Sequence, residues 1–143
     1  MVRAVHSLHS NGIIHLDLKP ANFVLVKGIV KLIDFGISYN LPSCEATSLG
    51  MKNSAGTVNY MAPEQLKMKR IGGSKEYRVG KKADVWALGC ILHYMAFCET
   101  PYHSIPDQAK KMKSISNMTE SVPVKVSNHG TLGKRDLGFL CFF

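Results

Sequence analysis

The apolar positions of this chain fall into short rhythms set apart by polar, glycine-containing stretches. In VRAVHSLHSNG, Val2, Val5, Leu8 and His9 recur at helical spacing, and Asn11-Gly12 supplies a stop, so a helix is predicted with Met1 already inside the pattern. A polar loop, HLDLKPAN, follows at residues 15–22. FVLV and IVKLID are two short β-rich runs joined at Lys27-Gly28, the pattern of a hairpin. From Phe35 to Tyr60 the chain turns to Gly, Ser, Asn and Thr without a period, and a stretch that long is more often a functional loop than a linker. PEQLKMK opens a short helix with Pro63 early in it. KADVWALGCILHYMAF is the strongest core helix, with Val85, Leu88, Ile91, Leu92 and Met95 on one wide apolar face. ETPYHSIPDQAKKMKSI predicts a proline-broken loop and then a short basic helix. Beyond about Ser116 no period is sustained, the chain ends on the apolar run GFLCFF, and there are no internal repeats.

Composition adds bounds. At 143 residues, 45% hydrophobic and 20% charged, the chain fits one globular domain or part of a larger one. No apolar run approaches the roughly 20 residues that span a bilayer, and the first residues hold no signal-peptide core. A cytoplasmic or nuclear location without membrane attachment is expected. Cys44, Cys90, Cys98 and Cys141 form no C-x-x-C pair, which argues for reduced thiols over a zinc site or disulfide framework. His6 and His9 share a helix face, but no third metal ligand lies near.

The net charge of +8 is concentrated in residues 67–82, where Lys67, Lys69, Arg70, Lys75, Arg78, Lys81 and Lys82 face only Glu76 and leave +6. Such a patch attracts acidic or phosphorylated partners, or nucleic acid. It has no interleaved aromatic beyond Tyr77 and no nucleic-acid motif, so nucleic acid is the poorer match and a solvated loop the plainer expectation.

Asp17, alone in a loop, would be a turn residue or a cap. Three further blocks change its meaning: DFG at residues 34–36, GTVNYMAPE at 56–64 and DVWALG at 84–89. With HLDLKPAN they stand in the order and spacing of the protein-kinase signature set. The chain therefore resembles the eukaryotic protein kinases, in their C-terminal lobe, over about residues 1–115. DLKPAN and GTVNYMAPE resemble the serine/threonine version. LKPANFVLV, KLIDFGI, GTVNYMAPEQ and KKADVWALGCILHYM are most similar to the monopolar-spindle, or TTK-type, dual-specificity kinases of the kinetochore.

The resemblance implies an α+β, mainly helical fold: a partial kinase domain at 1–115 without the N-terminal lobe, and a divergent tail at 116–143. It implies ATP and Mg²⁺ as cofactors, protein substrates, and a spindle or kinetochore location. Phosphoryl transfer asks for positioning and charge neutralisation. By resemblance, Asp17 orients the substrate hydroxyl and accepts its proton, and Lys19 offsets charge on the transferring phosphoryl group. Asn22 and Asp34 become oxygen ligands for Mg²⁺. Phe35 and Gly36 complete the D-F-G turn, and Thr57 bonds towards Asp17 and Lys19. His15 is an architectural ring behind the loop. Glu64 awaits an arginine partner, and Asp84 caps the core helix and tethers the loop from below.

Three departures follow. Leu16 stands where the family usually has an Arg that pairs with a phosphate on the activation segment, so the segment must be ordered by other contacts. Ser43, Thr47, Ser48, Ser54 and Thr57 are candidate phosphosites, though for each taken singly an unmodified polar loop residue is the stronger reading. The Gly-rich loop, the V-A-I-K lysine and its helix glutamate are not among these residues. Each charge-assisted hydrogen bond so lost is worth about 1.5–3 kcal/mol, and several exceed the roughly 5–8 kcal/mol of a weak nucleotide complex. No counterpart to the arginine that pairs with Glu64 is evident, since Arg135 lies in an unrelated segment. The readings are a piece of an active kinase, inactive by itself; a catalytically inert interaction module derived from one; and, on charge alone, a nucleic-acid-binding module.

Overall fold

The structure, a computed structural model, describes residues 1–41 and 48–117. Ser43, Thr47, Cys44, Cys141, Arg135 and the GFLCFF end lie outside the described residues.

The first helix, α1 (Val2–Ser10), turns Val5 into the core and leaves Val2 in solvent. It stops as expected: Asn11 N donates to Leu8 O, Gly12 N to His9 O, and Gly12 takes φ +72°. The chain then forms β1 (Ile13–Ile14) and reaches the 15–22 loop, which ends in a 3-10 turn at Pro20–Asn22. β2 (Phe23–Val26) and β3 (Ile29–Leu32) pair antiparallel, Phe23 opposite Leu32 and Val26 opposite Ile29. Lys27 and Gly28 both have positive φ, +50° and +77°, which matches the twist of a two-residue hairpin turn.

The 35–60 region is not the continuous loop the sequence suggests. It contains β4 (Tyr39–Asn40), paired with β1, then β5 (Ser48–Met51), and a 3-10 turn at Val58–Tyr60. Strands of two and four residues are too short to show a period against Ser and Gly neighbours. α2 (Pro63–Leu66) follows.

The 67–82 stretch is also corrected. It is a hairpin of β6 (Met68–Ile71) and β7 (Ser74–Gly80), turning at Gly72-Gly73, and β7 sits between β5 and β6 in a three-stranded antiparallel sheet. Burial along β7 rises towards its end rather than alternating: Ser74 and Lys75 are exposed, Glu76 and Tyr77 half-buried, and Val79 and Gly80 buried, with Arg78 exposed between them, so no period marks the strand.

α3 (Lys81–Phe97) forms as predicted, but its core face is shifted: Ile91 is buried and Leu88 packs partly buried, as predicted, while Val85, Leu92 and Met95 are exposed. Its buried residues are Ala83, Asp84, Ala87, Cys90 and Ile91, whereas Val85 and Leu92 are 59% and 66% exposed. The helix is apolar on most sides, so periodicity cannot choose a face. The small side chains win because they let neighbouring backbone come close. Asp84 does not cap this helix, because Gly80 holds that position and offers no side chain. α4 (Gln108–Asn117) begins after Asp107, whose Oδ1 accepts from Lys110 N at 2.7 Å. It packs on α2 and buries Ile115.

Two apolar clusters result. One gathers Ile14, Leu16, Leu41, Met51, Ala62, Val79 and Ala83. The other gathers Val5, Leu18, Phe23, Ala87 and Ile91. Residues 15–22 run between them, with alternate leucines sent to either side.

Candidate active site

Asp84 sets the loop. Its carboxylate is fully buried, and accepts His15 N at 2.9 Å and Leu16 N at 2.8 Å, with His9 Nε2 at 2.8 Å from Oδ2. A buried carboxylate without such donors would be costly. Here it converts that cost into a fixed backbone. Leu16 is held at φ +65°, a conformation L-residues seldom adopt, and its side chain is buried in the first apolar cluster. Leu41 and Met51, on either side of residues 42–50, pack in that same cluster. The position that would carry a phosphate-pairing Arg is therefore an apolar anchor.

Three donors converge on Asp17. Thr57 N and Thr57 Oγ1 donate to Oδ1 at 2.8 and 2.6 Å, and Lys19 Nζ donates to Oδ2 at 2.7 Å. Lys19 Nζ also lies 3.3 Å from Thr57 Oγ1. Burial pushes the Asp17 carboxyl up, but the bonds from Lys19 and Thr57 outweigh it and hold the group below its ordinary value. Asn22 is buried, and its Nδ2 donates to Asp17 O at 2.9 Å. That bond fixes the amide's orientation and leaves its oxygen with no donor among the described residues.

Asp34 follows β3 with φ +62° and is exposed; its Oδ1 accepts from Gly36 N at 3.1 Å. Phe35 is half exposed, and its ring lies against His15 with centroids 5.7 Å apart. His15 is buried; Nδ1 accepts from Asp17 N at 3.3 Å, and Nε2 has no partner among the described residues. Glu64 is half-buried in α2, and no described cation pairs with it.

The donor set fits Mg²⁺. Asn22 and Asp34 offer hard oxygens, and Mg²⁺ takes one or two such groups alongside phosphate oxygens and water rather than an all-protein cage. No group of three or more His, Cys, Asp or Glu among the described residues would hold a metal unaided.

Four residues of this site have roles that the sequence reading did not give them. His9 reaches Asp84 across 75 positions. Gln65 and Ser54 bond to backbone: Gln65 Nε2 donates to Leu16 O and Ala55 O, Oε1 accepts from Ala62 N, and Ser54 Oγ donates to Gln65 O. Gly56 has φ +123°. Gln65 lies three residues after Ala62, the spacing of a capping box, but Ala at the first position hides the motif.

Comparison with known proteins agrees with this geometry. A family model described as protein kinase domain matches residues 1–134. The chain is 45% identical over 125 residues to the dual specificity protein kinase TTK of Mus musculus, covering 85% of this chain and 14% of the relative. It is 42% identical over 122 residues to Ttk of Danio rerio, covering 85% and 12%. It is 38% identical over 130 residues to the serine/threonine-protein kinase MPS1 of Saccharomyces cerevisiae, covering 86% and 17%. The chain thus spans well under a fifth of the length of these relatives.

Proposed function

This chain belongs to the protein kinase domain family, and we propose that it is the C-terminal lobe of a serine/threonine or dual-specificity kinase of the TTK type, in which Asp17 directs ATP-dependent phosphoryl transfer to protein hydroxyls. The observation that carries this reading is the convergence of Thr57 N, Thr57 Oγ1 and Lys19 Nζ on one carboxylate within 2.8 Å.

Asp17, ionised at neutral pH, orients the acceptor hydroxyl and receives its proton. Lys19, already beside that carboxylate, offsets charge that grows on the phosphoryl oxygens. Asn22 and Asp34 would hold Mg²⁺, which when bound with ATP neutralises phosphate charge. Phe35 and Gly36 shape the turn that presents Asp34. In this reading the recognisable motifs occupy residues 1–115 and 116–143 diverge from them, while the family model matches as far as residue 134. Protein substrates and a spindle or kinetochore location accompany the TTK-type reading. No helix among the described residues is long and apolar enough to cross a membrane.

The test is a chimera in which these 143 residues replace the matching stretch of the mouse relative, so that a nucleotide-binding lobe is supplied. The chimera is expected to phosphorylate a protein substrate with ATP–Mg²⁺, and Asp17→Asn to lower kcat by about 10²-fold or more. The 143-residue chain alone is expected to show no measurable transfer, since it contains neither a Gly-rich loop nor a V-A-I-K lysine. A folded chimera without Asp17-dependent transfer sinks the reading.

A catalytically inert interaction module is the second reading, favoured by the β6–β7 hairpin. Arg70 stands directly opposite Lys75, both exposed, and no described acid pairs with either. Like charges so placed destabilise a hairpin, and an acidic or phosphorylated protein segment laid across them relieves the repulsion. Binding of a labelled poly-glutamate peptide that fades with salt and is lost in Arg70→Glu/Lys75→Glu supports this module; no binding at low salt removes it.

A further inference from the structure

Gln65 is 3% exposed, and its side-chain amide serves three backbone segments at once. Nε2 donates to Leu16 O and to Ala55 O, both at 3.0 Å, and Oε1 accepts from Ala62 N at 2.8 Å. Leu16 O belongs to the residue just ahead of Asp17. Ala55 lies two residues ahead of Thr57. The buried Leu16 carbonyl and the part-buried Ala55 carbonyl come from different segments, and one NH₂ supplies a donor to both.

Gly56 shows how tightly the segments meet. A Cβ there would lie 2.7 Å from Leu16 O and 3.2 Å from Gln65 Nε2. The very next residue places its N–H and hydroxyl on Asp17 Oδ1. The Leu16 side chain meanwhile joins Leu41, Met51 and Ala62 in an apolar cluster. The Gln65 amide itself bonds only backbone amide and carbonyl groups, with no ion pair among its contacts.

We propose that Gln65 is a positioning residue for phosphoryl transfer: its amide clamps the Leu16 carbonyl to the Ala55 carbonyl, and so holds Thr57 on Asp17 without any phosphate on the segment. The transfer itself rests on the function proposed above; the clamp does not.

The test is amide hydrogen exchange by NMR on the phosphatase-treated 143-residue chain, with the Ile91 amide in α3 as the reference for global opening. Two variants are compared. Gln65→Met removes all three bonds at similar size. Gln65→Glu keeps the acceptor for Ala62 N and removes at least one of the two donations, since a carboxyl facing two carbonyls carries one proton at most. Exchange at Thr57 is expected to rise at least tenfold in both, with Ile91 unchanged. Thr57 protection that persists in both variants overturns the proposal. So does a rise at Thr57 that only follows an equal rise at Ile91, a Gln65→Glu chain that behaves as wild type, or a Thr57 amide protected only before phosphatase treatment. In the chimera, Gln65→Met should lower kcat and leave the KM for ATP unchanged. If the chimera shows no transfer while Thr57 protection still depends on Gln65, the catalytic reading falls and the clamp stands.

Discussion

Asp17 and Leu16 are chain neighbours with opposite fates. Asp17 gathers three donors at the surface of the loop, while Leu16 turns inward at positive φ. The backbone bonds to Asp84 impose that division, since they fix the peptide on which both side chains hang. The Asp17 carboxyl sits below its ordinary value, so its bonds contribute stability that is fully present above about pH 4 and is lost as pH falls through the depressed folded value. Thr57→Val keeps the backbone donor and removes the hydroxyl. Denaturant titrations at pH 7 and pH 3 should therefore show a smaller acid-induced loss of stability in Thr57→Val than in wild type; equal losses would detach Thr57 Oγ1 from Asp17. At this scale Asp17, Lys19, Asn22 and Thr57 were picked out through their resemblance to the kinase motifs, and the structure puts them within hydrogen-bond reach of one another. Gln65, Gly56 and Ser54 were not legible in their roles. Their partners are backbone atoms of other segments, and a backbone atom leaves no mark on residue type.

Among the elements, α1, the β2–β3 hairpin, α3 and α4 follow from periodicity and turn chemistry, as Lys27-Gly28 and Asn11-Gly12 show. The strands around β5 and β7 do not, because pairing between segments about thirty positions apart gives Ser48 to Met51 their shape. The exposed face of α3 is misjudged for a related reason. Val85 and Leu92 are larger than Ala83 and Ala87, but α3 must lie close to residues 15–22, and only small side chains permit it. The two aspartates near helix starts make the point quantitative. Asp107→Ala removes one cap bond and should cost about 1 kcal/mol. Asp84→Ala strands two buried N–H groups and should cost about 3 kcal/mol or more. Urea unfolding measures both, and equal costs would mean that Asp84 is only another cap.

At the level of the whole molecule, the two apolar clusters close around residues 15–22 and leave other apolar surface uncovered. Val85 and Leu92 on α3, and Leu25 and Ile29 on the β2–β3 hairpin, are all more than half exposed. Patches of that kind drive association. Val85→Lys together with Leu92→Lys should lower self-association in sedimentation velocity without lowering the urea midpoint; unchanged association would place the sticky surface elsewhere. The kinase-like fold was readable from ordered motifs, whereas the uncovered faces depend on which neighbours are present.

The Asp84 tether also has a history in time. The ribosome delivers His15 and Leu16 first, and the carboxylate that shapes them arrives 69 and 68 residues later. At translation rates of about 5–20 residues per second, that interval is roughly 3–14 seconds. Throughout it the His15 and Leu16 N–H groups lack the acceptor that fixes them, so the geometry of HLDLKPAN waits on the start of α3.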